Sequence, residues 1–213
     1  MSRSSALLAV ALGLSCAPAA VVPPPIPVDP ASFQAGVVAS ESLAKLGYLG
    51  YVGDAVSSLT AMTQLTGYLA RTTRRGGTIG LWGTGSIITY RDNGHWTEQR
   101  TPAFGLLLRS PPFPVKKWKA LELGVGWYGG WVGLPGRWEV NDRWMLFASP
   151  NVGIGARHLA QLPVGVARAT PWGTVHAQLL TGVLWGMGPT YASEVPWQVG
   201  LAVGYSASGS GEP

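Results

Sequence analysis

The run PWQVGLAVGYSA, residues 196–207, decides how the rest of this chain reads. Trp197, Val199, Leu201, Val203 and Tyr205 alternate along it with Gln198, Gly200, Ala202, Gly204 and Ser206. Successive side chains of a β-strand point to opposite faces, so the segment has one apolar face and one small, polar face. The apolar face begins and ends with an aromatic, Trp197 and Tyr205. At about 3.3 Å per residue and a tilt of about 40°, these aromatics stand roughly 20 Å apart along a barrel axis, near the ~25 Å apolar band of a membrane-spanning barrel.

Composition points the same way. Of 213 residues only 12% are charged, while 46% are hydrophobic, and the chain carries 30 Gly and 10 Trp. A soluble domain of this size covers itself with about twice that fraction of charge. No stretch reaches the roughly 18 to 20 continuous apolar residues of a spanning helix. Low charge, abundant Gly and Trp, and no helical span together predict a transmembrane β-barrel over a soluble all-β barrel or sandwich, or an interfacial protein. The net charge of +5 is spread over strand ends and turns, as at Arg74-Arg75, Lys116-Lys117 and Lys119. Such positions suit lipid phosphates, and no dense basic run interleaved with aromatics suggests nucleic-acid binding.

The first residues have the order of an export signal: Arg3, an apolar run over residues 6–14, then Ser15 and the single cysteine, Cys16. The apolar run is too short to span a bilayer as a helix. Leu12-Gly13-Leu14-Ser15-Cys16 resembles a bacterial lipobox, which implies lipidation of Cys16 at the mature N-terminus; Gly13 stands where such signals prefer Leu. An ordinary signal peptide cut within residues 17–20 is the alternative. The expected organisation is a signal peptide over 1–15, a lipidation site and Pro-rich tether over 16–32, a β-barrel over 33–207 and a polar tail over 208–213. The tether, APAAVVPPPIPVDP, favours extended polyproline geometry.

From residue 33 the alternating grammar repeats. Phe33, Ala35 and Val37 oppose Gln34, Gly36 and Val38. Residues 56–69 are ambiguous, since Val56, Leu59, Met62, Leu65 and Leu69 also recur at helical spacing. A strand over 59–72 is preferred, because Arg74-Arg75-Gly76-Gly77 then forms a tight turn into a strand over 78–90. Later runs over 104–109, 121–128, 144–154, 162–167 and 174–185 alternate in the same way. Their second face is Gly, Ala, Ser, Gln and Asn, which suits the crowded lumen of a narrow barrel with lipid outside. Aromatics near segment ends, among them Trp144, Trp185, Trp197 and Tyr205, fit interfacial girdles.

Residues 33–207 thus resemble small bacterial outer-membrane β-barrel proteins in pattern. The resemblance implies an all-β, antiparallel up-and-down transmembrane β-barrel in the outer membrane of a Gram-negative bacterium, in contact with outer-membrane lipids and the barrel-assembly machinery. Such proteins commonly end at a C-terminal aromatic, whereas here Tyr205 is followed by a polar tail. An even strand number is required. Nine segments are plain, and dividing residues 119–140 at Gly129-Gly130, with Asn141-Asp142 as the next turn, gives ten strands. Eight strands with an N-terminal plug or helix is the alternative. The turns at 74–77, 111–118, 141–142 and 170–173 then fall on the periplasmic side, with loops over 43–58, 91–96, 157–160 and 186–195 outside.

No metal cluster, cofactor motif or nucleophile elbow is present. Gly124-Val125-Gly126-Trp127-Tyr128-Gly129 has dinucleotide-binding spacing, but it lies within a strand pattern and no helix follows. Glu122, Asn151, His176, Gln178 and Gln198 all fall on lumen-facing phases and are expected to satisfy one another as a buried polar network. His176, with Ser149 and Asn151 inward on another strand, is the one candidate for lipid hydrolysis, although no Ser stands at a matching offset beside it. The loop over 186–195, with Met187, Tyr191 and Glu194, is a candidate partner surface. Three readings follow: a non-enzymatic barrel with a structural, adhesive or partner-binding role, a narrow pore for ions or small solutes, and a lipid-modifying barrel enzyme.

Overall fold

The computed structural model describes residues 32–49, 55–92, 95–113, 120–126, 129–155, 157–186 and 197–210. The export signal, Cys16, the Pro-rich tether and the 187–195 part of the candidate partner loop lie outside them. The first four strands are long: β1 (Ser32–Leu49), β2 (Ala55–Thr72), β3 (Thr78–Asp92) and β4 (His95–Arg109). Shorter segments follow: β5 (Glu122–Gly126), β6 (Gly129–Gly133), β7 (Gly136–Glu139), β8 (Trp144–Ala148), β9 (Asn151–Gly155), β10 (Arg157–Gln161) and β11 (Val164–Thr170). The last two are β12 (Gly173–Gly186) and β13 (Trp197–Ser210), and the described residues contain no helix.

Thirteen segments make ten strands. β6 with β7, β8 with β9, and β10 with β11 are each one strand interrupted at Pro135, Pro150 and Pro163. A proline lacks the N–H that a ladder needs. Register nevertheless runs through each break: Gly133 pairs Asn151 and Gly136 pairs Ala148, with two residues between on either side. Backbone bonds Leu134 N to Pro150 O (2.9 Å) and Ser149 N to Pro163 O (3.0 Å) carry the ladder across. β1 pairs β13, so the sheet closes on itself; β1 to β4 run on beyond their outer neighbours at the loop end.

Closure has a stagger that can be read from the pairs. One step beyond Phe33–Arg71, the row from Ser32 passes through Thr72, Thr78, Arg109, Glu122, Gly133, Asn151, Gln161, Gly182 and Gln198. It returns to β1 at Ala44, 12 residues above its start. Ten strands with that shear tilt by about 40° and enclose a lumen that side chains can fill.

The period-two reading of residues 59–72 wins over the helical one. Met62, Gln64, Thr66, Tyr68, Ala70 and Thr72 are buried on one face, while Leu65 and Leu69 stand on the other. The tight turn falls at residues 74–76, with Gly76 at φ 86°. Asn141 Oδ1 accepts from the backbone N of Arg143 and Trp144, fixing the 141–142 turn. The hairpin at residues 170–173 forms as expected, with Thr170 paired to Gly173.

Several boundaries differ from expectation. The reversal expected at Gly129-Gly130 comes earlier: Gly126 pairs Gly129, so both glycines open β6. β1 and β2 pair as far as Leu49–Ala55, and β3 and β4 as far as Asp92–His95, inside stretches read as loops. Arg157–Gln161, read largely as a loop, is β10. β13 continues past Ala207, with Phe33 opposite Gly209 and Ser32 opposite Ser210, so the tail begins three residues later. At the ends of β1, β2, β3, β4 and β13 backbone pairing continues where the sequence carries no clean alternation.

Candidate functional site: a plugged lumen

The wall separates two surfaces. Outward positions are apolar: Val175 and Leu179 on β12, Val199, Leu201 and Val203 on β13, Phe104, Leu106 and Leu108 on β4 are all exposed. Trp144 and Tyr205 stand toward the turn end, Trp197 toward the other, each exposed. Tyr205 OH donates to the Trp172 carbonyl, and the Arg168 guanidinium lies 5.4 Å from the Trp144 ring centroid. Trp185 is placed in β12 opposite His158, and its side chain lies outside the described set.

Inward positions build a lumen in layers. At its middle sit Val38, Tyr68, Trp82, Ala103, Leu107, Trp131, Leu180 and Ala202, one buried apolar cluster drawn from β1 to β4, β6, β12 and β13. Trp82 and Trp131 meet edge-to-face, with centroids 5.1 Å apart and planes at 66°, a preferred aromatic geometry. The wall makes room for these rings by omitting side chains. A Cβ at Gly124 would overlap the Trp131 ring, and one at Gly36 the Tyr68 ring.

Polar residues flank this plug on both sides. Toward the turn end, register sets Arg109 opposite Glu122. Arg109 Nε donates to Glu122 Oε2 at 2.9 Å, its terminal nitrogen reaches the same oxygen, and Trp131 Nε1 donates to Glu122 Oε1 at 2.8 Å. Glu122 is 0% exposed. A carboxylate this deep persists because the guanidinium and the indole N–H compensate its lost hydration. Thr72 and Thr78 hydroxyls meet at 3.2 Å nearby. Toward the loop end, Gln64 Nε2 donates to Ser86 Oγ at 2.8 Å, and Thr66 Oγ1 to Thr84 Oγ1 at 2.9 Å. A chain of amides, Gln161 Nε2 to Gln198 Oε1 (3.2 Å) and Gln198 Nε2 to Ser42 Oγ (3.0 Å), crosses the seam between β10, β13 and β1.

Glu122, Asn151, His176, Gln178 and Gln198 are therefore all buried on inward positions. Among the described residues no hydrogen bond joins one of them to another. Glu122 bonds to Arg109 and Trp131, Asn151 Nδ2 to the Ser149 carbonyl, and Gln198 to Gln161 and Ser42. The His176 ring packs edge-on to Phe147, at 6.2 Å between centroids. Both His176 nitrogens, Gln178 Nε2 and Ser149 Oγ have no hydrogen-bond partner among the described residues. Ser149 and His176 are thus not joined as a nucleophile and base.

Sequence reasoning left Arg109, Trp131, Trp82 and Gln161 out of the lumen network. Their phase was available: Arg109 continues Ala103, Gly105 and Leu107, and Trp82 shares the parity of Thr84 and Ser86. No cluster of three or more His, Cys, Asp or Glu that could hold a metal occurs among the described residues. No protein-family model matches the chain, and no curated protein matches it.

Proposed function

We propose that this chain is an outer-membrane β-barrel of a Gram-negative bacterium, closed to solute, with a structural, adhesive or partner-binding role. One observation carries the reading: an outer wall apolar at most of its described positions surrounds a lumen filled at mid-height by the Trp82–Trp131 cluster and braced by the Arg109–Glu122 pair. An apolar exterior with a polar-edged, filled interior is what a lipid-embedded barrel requires and what a water-exposed one excludes. A lumen packed across its width supports a scaffold over a pore. The export signal and Cys16 support delivery to that membrane and a lipid anchor beside the barrel.

The test is planar-bilayer recording of folded protein that shows heat-modifiable gel mobility. Wild type gives no conductance steps. The double variant Trp82→Gly/Trp131→Gly, which empties the plug, opens steps. Ion conductance by folded wild type overturns the scaffold reading in favour of a pore.

A further inference from the structure

The two ends of the barrel are charged differently. At the turn-end rim, the inward Arg109–Glu122 pair apart, the described side chains include Arg71, Arg74, Arg75, Arg137, Arg143 and Arg168 against two acids, Glu139 and Asp142. From mid-wall to the loop end the described charged side chains are Glu41, Glu98 and Arg100. Arg137 pairs with Glu139 at 3.3 Å, whereas neither Arg143 nor Arg168 is in an ion pair among the described residues.

These two arginines meet the aromatic rim at one corner. Register runs the outward residues Trp144, Arg168, Val175 and Tyr205 in a single row across β8, β11, β12 and β13. The Arg168 guanidinium lies against the Trp144 ring. One position below, the Ala169 N–H donates to the Arg143 carbonyl at 2.8 Å, which sets the exposed Arg143 beside Arg168 on the neighbouring hairpin. From the other side the Tyr205 hydroxyl holds the Trp172 carbonyl, and Trp172 is 81% exposed, the highest value among the described tryptophans. An indole is mostly apolar with one N–H donor, a shape suited to the boundary between headgroup and acyl chain. Above the row the exposed wall is Leu146, Val164 and Leu179.

We propose that this corner is a binding site for one anionic glycerophospholipid of the leaflet at the turn end. The site presupposes the membrane-spanning reading above and adds to it a lipid class and a place. Guanidinium forks match the paired oxygens of a phosphodiester, a match that an ammonium lacks. The Trp144 and Trp172 indoles offer N–H donors at the level of the glycerol esters, and the wall above takes an acyl chain. A zwitterionic headgroup brings its own ammonium against two arginines, so the corner discriminates by charge as well as by shape. Arg71 is a contrast on the same rim: it lies 5.9 Å from the centroid of Phe33, a ring with no N–H to offer.

The test uses the full chain, folded in neutral detergent and checked by heat-modifiable mobility. Native mass spectrometry counts adducts with phosphatidylglycerol and phosphatidylcholine of matched acyl chains, added in equal amounts. Wild type is expected to retain one phosphatidylglycerol with about tenfold preference. Arg143→Gln/Arg168→Gln loses the preference at unchanged mobility, while Arg74→Gln/Arg75→Gln, which removes the same charge elsewhere on the rim, keeps it. Arg168→Lys keeps the charge, loses the fork and lowers the preference severalfold, which covers the case of a double variant that does not fold. Equal retention of the two lipids by wild type, or equal loss in the two double variants, overturns the site and leaves the barrel reading intact. Displacement of the lipid by inorganic phosphate, but not by chloride at equal ionic strength, overturns it too and makes the corner a site for free phosphate. Protein that stays soluble without detergent and lacks heat-modifiable mobility overturns both the site and the barrel reading.

Discussion

The inner and outer faces of one strand show how this chain divides its residues between two environments. On β13, Val199, Leu201, Val203 and Tyr205 are exposed, while Gln198, Ala202 and Ser206, their immediate neighbours, are buried. Polarity is inverted relative to a soluble barrel, where apolar residues go inward. The inward face is not uniformly polar either. It carries an aromatic plug with polar residues around it, because a lumen this narrow must be filled to near-crystalline density, and much of its polar lining pairs within itself, although among the described residues His176, Gln178 Nε2 and Ser149 Oγ do not. The outward face has a looser requirement, apolarity alone, and tolerates many residues of different shape.

That contrast predicts an order of mutational effects, readable as shifts in denaturant-induced unfolding of the folded, heat-modifiable species. The largest falls on the inner ion pair. Glu122→Leu strands the buried Arg109 guanidinium and is expected to cost about 3–5 kcal/mol, whereas Glu122→Leu with Arg109→Met recovers most of the loss. A double variant no more stable than the single one would contradict the pairing as the source. Next comes charge on the outer face: Leu201→Arg, level with mid-band, is expected to cost about 2–4 kcal/mol in lipid, and no measurable loss would mean water outside. Inner overpacking ranks third. Gly124→Val drives a side chain into the Trp131 ring and should cost about 1–3 kcal/mol. Smallest is its outer counterpart, Gly67→Val, which meets open space and should change stability by less than about 0.5 kcal/mol. Equal effects at Gly124 and Gly67 would erase the distinction between the faces.

Much of the fold was legible because alternation is a local signal. The phase of Phe33–Val38, of residues 144–154 and of β13 each follows from the neighbours of each residue. Strand ends were less legible. Residues 43–49 and 55–58 carry no clean alternation of apolar and polar types, yet backbone pairing continues to Leu49–Ala55. Pro135, Pro150 and Pro163 suggest breaks, yet register passes through all three, since neighbouring strands hold each one in place. The lumen was half legible. Phase alone places Glu122, His176, Gln178 and Gln198 inside, but partners depend on how strands line up around the closed barrel. Arg109 meets Glu122, and Gln161 meets Gln198, through pairings of strands that neighbour in sequence, whereas Gln198 meets Ser42 only across the β13–β1 closure, where the shear is 12 residues. Stagger of that kind is a property of closure, and no segment carries it.

The central claim, a wall with lipid on one side and a filled lumen on the other, is tested most directly by spin labels placed singly at residues 197–206 in reconstituted vesicles. Collisions with oxygen and with a water-soluble nickel complex are measured at each position. Labels at 199, 201 and 203 are predicted to be oxygen-accessible and nickel-protected, and those at 198, 200, 202 and 204 to be immobile and protected from both. Nickel access at 199, 201 and 203 would contradict the lipid-facing wall, and nickel access at 200 and 202 would contradict the closed lumen.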